Sequence, residues 1–176
     1  MTAPAMPALT GDCARCDGLC CMALAFDAGP KFACDKAAGV ACDHLGADSR
    51  CTIHDRLRGA GFSGCVEYDC LGAGQVVCAT VLPGVSWRAG AAEKRRVMEA
   101  FRALREVHRM IDLVQLAAAL PLDPAQETAR VALLAELVPV GGWSEATLAG
   151  FEGGPLPGRV ADFLRGLRDV VRPASS

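Results

Sequence analysis

Apolar and polar positions follow two regimes along this chain. From Ala91 to Leu120, Val97, Phe101, Leu104, His108, Ile111, Gln115 and Ala118 recur at steps of four and three, with Met98, Val107 and Val114 beside them. Arg95, Glu99, Arg102, Glu106 and Arg109 fall on the opposite side, so the spacing predicts one long amphipathic helix. Pro121 ends it, because proline has no N–H to donate and its ring obstructs the preceding turn. Asp123 followed by Pro124 predicts the start of a second helix, running to about Val138 and stopped by Pro139 and Gly141-Gly142. Ser144 caps a short helix to Ala149. Pro157 to Val171 places Val160, Phe163, Leu164, Leu167 and Val171 on one side and predicts the last helix.

The front of the chain has no such period. Residues 1–11 are rich in Pro and Ala with little to bury, and read as a flexible tail. From Asp12 to Val81 glycine recurs and apolar runs are short, with short helices predicted at Thr52 to Arg58 and Val66 to Leu71. A turn at Leu82 to Ser86 marks the change of regime. The fold class expected is mainly α. It comprises a small, irregular, metal-stabilised cysteine-rich module with short helices over residues 12–80, and a set of three or four helices over residues 86–172 packed on it.

Composition sharpens this division. Apolar residues make up 52% of the 176 positions but aromatics only 5%, which suits packed helices built from Ala, Leu and Val. The formal charge is −2. Divided at Ser86, the front carries 6 basic and 9 acidic residues and the back 12 and 11, so neither part is a polybasic nucleic-acid binder. No run of eighteen apolar residues suggests a membrane span. The opening MTAPAMPALTGD lacks the basic start and apolar middle of a secretory signal, so a cytoplasmic location is expected.

Cysteine changes the picture most. All ten lie between Cys13 and Cys78, and the ninety-eight residues that follow have none. A segment with so small a core needs another source of stability. In a reducing compartment, spaced cysteines point to metal or redox chemistry rather than to disulfides. A structural zinc can contribute on the order of 10 kcal/mol to folding.

The opening motif, CARCDGLCC, is C-x2-C-x3-C-C. A two-residue spacing lets Cys13 and Cys16 span the edge of a metal tetrahedron, about 3.8 Å when zinc–sulfur bonds are roughly 2.3 Å. Cys20 and Cys21 are adjacent and their side chains tend to diverge. Either one ligates and the other packs, or the two serve different metals. The second group, Cys42, Cys51 and Cys65, encloses His44 and His54, which are candidates for ligation or for hydrogen bonds to ligands. Cys34 and Cys78 fall outside the pattern and read as core fillers.

These residues resemble the CxxCxxCC-type zinc- or iron-chelating domains. Cys13, Cys16, Cys20 and Cys21 match the clustered start, Cys42 with Leu45 the next element, and Cys51, Ile53, Arg56 and Cys65 the third. The run YDCLGAGQ, Tyr68 to Gln75, is similar to one in the cysteine-rich N-terminal region of actinobacterial pentapeptide-repeat proteins, and carries over Cys70. The resemblance covers about Cys13 to Gln75. The gap between Cys16 and Cys20 is one residue longer than that family's usual spacing. What the resemblance implies is chelation of zinc or iron by Cys13, Cys16, Cys20, Cys21, Cys42, Cys51, Cys65 and Cys70. The function expected is metal binding, structural or in metal handling. The alternative is an iron–sulfur redox protein or enzyme, its helical region serving as platform for a substrate or protein partner. The His108–Asp112 pair on the long helix reads as a helix contact rather than as a proton relay.

Overall fold

The computed structural model describes residues 6–171. Residues 1–5 of the expected tail and residue 172 of the expected helical region lie outside the described residues. The protein is mainly helical, and among the described residues extended pairing is confined to three isolated bridges: Phe26 with Lys36, Gly29 with Phe32, and Leu45 with Cys51. The helices are α1 (Leu19–Ala23), α2 (Ser63–Glu67), α3 (Ala73–Val76), α4 (Ala91–Leu116), α5 (Pro124–Leu137), α6 (Glu145–Phe151), α7 (Leu156–Gly166) and α8 (Arg168–Val171). Single turns of 3-10 helix cover Cys13–Arg15, His54–Arg56 and Ala117–Ala119, and a π-helical turn, Val77–Val81, continues α3. None of the described helices is long and apolar enough to cross a membrane.

The described residues form two compact units, one of Ala8–Arg105 and the other of residues 106–171 with residues 6–7. In the second unit the local signals act as read. Asp123 accepts from the N–H groups of Ala125 and Gln126 at 2.8 Å, and the Gln126 amide oxygen accepts from Asp123 N–H at 2.9 Å. This reciprocal box satisfies donors that the first turn of α5 leaves open. Ser144 and Thr147 make the same box at α6. Leu133 and Leu137 of α5, Leu148 and Phe151 of α6, and Val160 of α7 are buried. Trp143 crosses Phe151 edge-on at 5.4 Å while its indole N–H donates to the Leu137 carbonyl at 2.9 Å. Arg159 forks onto Glu136 at 2.6 and 2.7 Å, joining α7 to α5.

Val97, Phe101, Leu104, His108 and Ile111 of α4 are buried as the spacing predicts, and Val114 beside them is buried too. Beyond Leu116 the chain tightens into the 3-10 turn Ala117–Ala119, where residues three apart share a side, so Ala117 follows Val114 inward and Ala118 is exposed.

In the first unit Leu19 and Met22 of α1 are fully covered. Ile53, Leu57 and Phe62 form a small cluster, packed by Phe26, Phe32, Cys51 and Ala60. Phe26 and Phe32 stack at 4.3 Å, and Phe62 meets Phe26 edge-on at 6.2 Å. Two short helices differ from expectation. Thr52 to Arg58 holds only the 3-10 turn His54–Arg56, and the helix expected at Val66 to Leu71 sits earlier, at Ser63–Glu67. Asp69 is the reason: its carboxylate accepts from Leu71 N–H at 2.8 Å, and Leu71 and Gly72 take φ of +51° and +77°, turning the chain before α3 begins.

Gly64 of α2 lies under the Phe32 ring, and a β-carbon there would run into its edge atoms. Gly64→Ala is expected to cost about 1–3 kcal/mol through overpacking, despite the better helix propensity of alanine. Chemical denaturation followed by far-UV circular dichroism checks this; an unchanged or raised midpoint would mean that the Phe26–Phe32 stack yields at no cost.

Candidate metal centre

The opening motif is shaped by local hydrogen bonds. Asp12 caps the turn Cys13–Arg15 by accepting from Ala14 N–H at 2.9 Å, and Gly18, at φ +67°, turns the chain into α1. Cys20 and Cys21 therefore sit on one short helix, with Cys16 just before it. The Cys42 N–H donates to the Cys21 carbonyl at 3.0 Å, tying the second cysteine group to α1. The Leu45–Cys51 bridge then returns the chain so that Cys51 packs on the aromatic cluster. Cys65 lies on α2 and Cys70 in the turn before α3.

Nine of the ten thiols act on one another: Cys13, Cys16, Cys20, Cys21, Cys42, Cys51, Cys65, Cys70 and Cys78. Two close pairs stand out. The sulfurs of Cys20 and Cys21 are 4.0 Å apart. The hydrogen bond from Cys21 lowers the Cys20 pKa to about 7, against the opposing effect of burial, and that shared proton raises Cys21. Cys16 and Cys78 form the other pair. Cys78 is lowered to about 7, first by the hydrogen bond from Cys16 and then by Asp17 N–H, which donates to its sulfur at 3.3 Å. Cys16 is raised by the same bond and by burial. Burial is also the first cause that raises Cys13, and it brings Cys65 up to about 11. The two pairs differ in surroundings: Cys21 also feels Cys51 and Cys42, whereas Cys16 also feels Cys20. Cys13, outside both pairs, feels Cys20 and Cys70.

Among the described residues, no three Cys, His, Asp or Glu side chains stand where they would together hold a metal ion. The thiols meet in pairs. The chemistry of the donors nevertheless fits a thiophilic metal, since soft sulfur predominates and two protons are already shared. The Tyr68 hydroxyl adds to this. It is buried without a hydrogen-bond partner, and burial is the first cause that raises its pKa, with Cys20 and Cys70 acting in the same direction. A buried hydroxyl of that kind is costly unless something accepts its proton. His44 meets Phe62 edge-on at 5.2 Å, and His54 is exposed.

Three features were not legible in the sequence. Cys78, read as a core filler, is the partner of Cys16. The signal lay in GAGQ: Gly74 is one helical turn ahead of Cys78, and a β-carbon there would come within 2.7 Å of the Cys16 sulfur. Cys34, the other expected filler, is exposed and fills no core, because it follows the tight turn that Gly29 and Phe32 close. Asp17 is the third. Its carboxylate accepts from Ser49 Oγ, from Ser86 Oγ at 3.0 Å and from Arg88 Nη1 at 3.0 Å. Its carbonyl accepts from the Trp87 indole at 2.8 Å.

A cavity of about 820 Å³ opens beside the second cysteine group, walled by Phe26, Ile53 and Phe62 and rimmed by Lys36, Cys42 and Arg56.

No protein-family model matches the chain, and no solved structure matches it. It is similar to a Bacillus subtilis (strain 168) protein described as "Uncharacterized protein YybG", 38% identical over 103 residues. Those residues are 58% of this chain and 37% of that protein, so the chain spans little more than a third of the relative's length.

Asp17→Ala removes the carboxylate shared by three donors and is expected to cost about 2–3 kcal/mol, in the range for hydrogen bonds to a charged, partly exposed group. Arg88→Ala, at the exposed end of the network, is expected to cost about 1 kcal/mol or less. Equal losses in urea denaturation would show that the guanidinium, not the carboxylate, organises these loops.

Proposed function

We propose that the cysteine-rich unit binds zinc or iron through clustered thiolates, in a structural or metal-handling role. The observation that supports this is the gathering of nine thiols from separate turns around α1, two of them already at pKa values near 7. Thiolates held together without a cation repel one another, and a bound metal removes that repulsion while replacing apolar burial that this segment lacks. Cys13, Cys16, Cys20, Cys21, Cys42, Cys51, Cys65 and Cys70 are the proposed donors. When bound, the metal would supply cross-links between turns that have few other contacts. The chain's own residues do the positioning: Asp17 holds the first motif, Gly74 leaves room for Cys16, and the Ile53–Leu57–Phe62 cluster seats Cys51. A cytoplasmic location accords with reduced thiols.

Elemental analysis of protein purified without oxygen is expected to show at least one zinc or iron per chain, colourless with zinc and coloured with iron. Protein free of both metals, from zinc- and iron-supplemented growth alike, would overturn the reading. Cys16→Ser is expected to lower the bound metal and the melting temperature together. If metal content and melting curve both stay at the wild-type level, Cys16 is no ligand.

A further inference from the structure

Lys36 is buried, with 8% of its surface exposed, in a unit whose other lysines and arginines reach solvent at least in part. Its place is fixed by the main chain. The Phe26–Lys36 bridge joins the two residues through N–H to carbonyl bonds of 3.0 and 2.8 Å, and the ammonium turns inward over the Phe26 ring, 5.6 Å from its centre. There Nζ donates to the carbonyls of Met22 and Ala37, each at 3.3 Å, and of Val40 at 2.8 Å. Met22 directly follows Cys21, and Val40 lies two residues before Cys42. The ammonium is thus clamped between the two cysteine groups, and Lys36 and Cys42 share the wall of the same cavity.

A buried cation is expensive unless charge of the opposite sign faces it. Three carbonyl dipoles satisfy its protons but leave its charge uncompensated. The anions within reach are sulfur. Burial lowers the Lys36 pKa, and the thiols of Cys42, Cys21, Cys20 and Cys65 oppose that shift.

We propose that Lys36 is a positioning residue of the thiolate centre, a fixed counter-charge that stabilises whichever state of the bound metal carries the greater negative charge. The inference rests on the metal-binding reading. Four thiolates around a divalent ion would leave a net charge of about −2, a load that a half-buried site would tolerate better beside a permanent cation. With iron as the metal, reduction adds one electron to the centre and makes or breaks no bond to Lys36. The ammonium therefore favours the reduced state and raises the midpoint potential. A lysine that only pinned the loop to α1 would affect how much metal is held, not the potential of the centres that hold it.

The test uses the full chain loaded anaerobically with ferrous iron, its midpoint measured at an electrode, as wild type, Lys36→Met, Lys36→Gln and Lys36→Arg. Removing the charge is expected to cut the preference for the reduced state by about tenfold, a midpoint about 59 mV more negative for a one-electron couple. Lys36→Arg, which keeps the charge, is expected to stay within half that shift. If Lys36→Met does not retain iron, Lys36→Gln carries the comparison, since its amide still donates to a carbonyl. Neutral variants with the wild-type midpoint, or an arginine variant shifted as far as they are, would overturn the counter-charge while leaving metal binding intact. Wild-type protein that holds no iron and no zinc overturns the metal reading, and this inference with it.

Discussion

The first unit depends on one carboxylate. Asp17 lies inside the opening cysteine motif, and from there it reaches Ser49 in the loop between Cys42 and Cys51, and Ser86 and Arg88 ahead of the long helix. Its main chain adds the Trp87 indole on the carbonyl side and the Cys78 sulfur on the amide side. Segments 32 to 71 positions from Asp17 in sequence are thereby joined at one residue. A chain with short apolar runs cannot hold such segments by burial alone, because each loop must offset its own loss of conformational entropy. Hydrogen bonds to a charged acceptor are stronger than neutral ones, which makes a single anion an economical hub.

Paired thiols set the electrostatics around α1: the hydrogen bond from one member of each close pair lowers the pKa of the other to about 7, as Cys21 does for Cys20 and Cys16 for Cys78. The buried Lys36 ammonium is held by a carbonyl of α1, at Met22, and by one of the loop before Cys42, at Val40. The buried ammonium, the cysteines and the unpartnered Tyr68 hydroxyl all lie within this one unit.

The two regimes of the chain differ in how far they can be read in advance. Helix α5 was legible from Asp123 and Pro124 because capping is a local matter, decided by residues three apart. The buried side of α4 was legible along the helix, and was lost where the 3-10 turn after Leu116 carried Ala117 rather than Ala118 inward. In the cysteine-rich part, the concentration of thiols could be read in advance. Their pairing could not. Cys78 looked like a solitary small residue because its partner, Cys16, is sixty-two positions away, and Lys36 looked like one surface lysine among others.

By itself, the sequence determined that the chain is mainly helical, where the long helices of its second half run and stop, and that cysteine is confined to its first half. The helices follow from backbone geometry and side-chain period, which act over a few residues. Only the tertiary structure decided that Cys16 meets Cys78, that Asp17 ties three loops together, and that the Lys36 ammonium is sealed between Met22 and Val40. Charge and hydrogen-bonding groups act through space over a few ångströms, and in a segment without regular period no local rule says which distant turn will bring them that close.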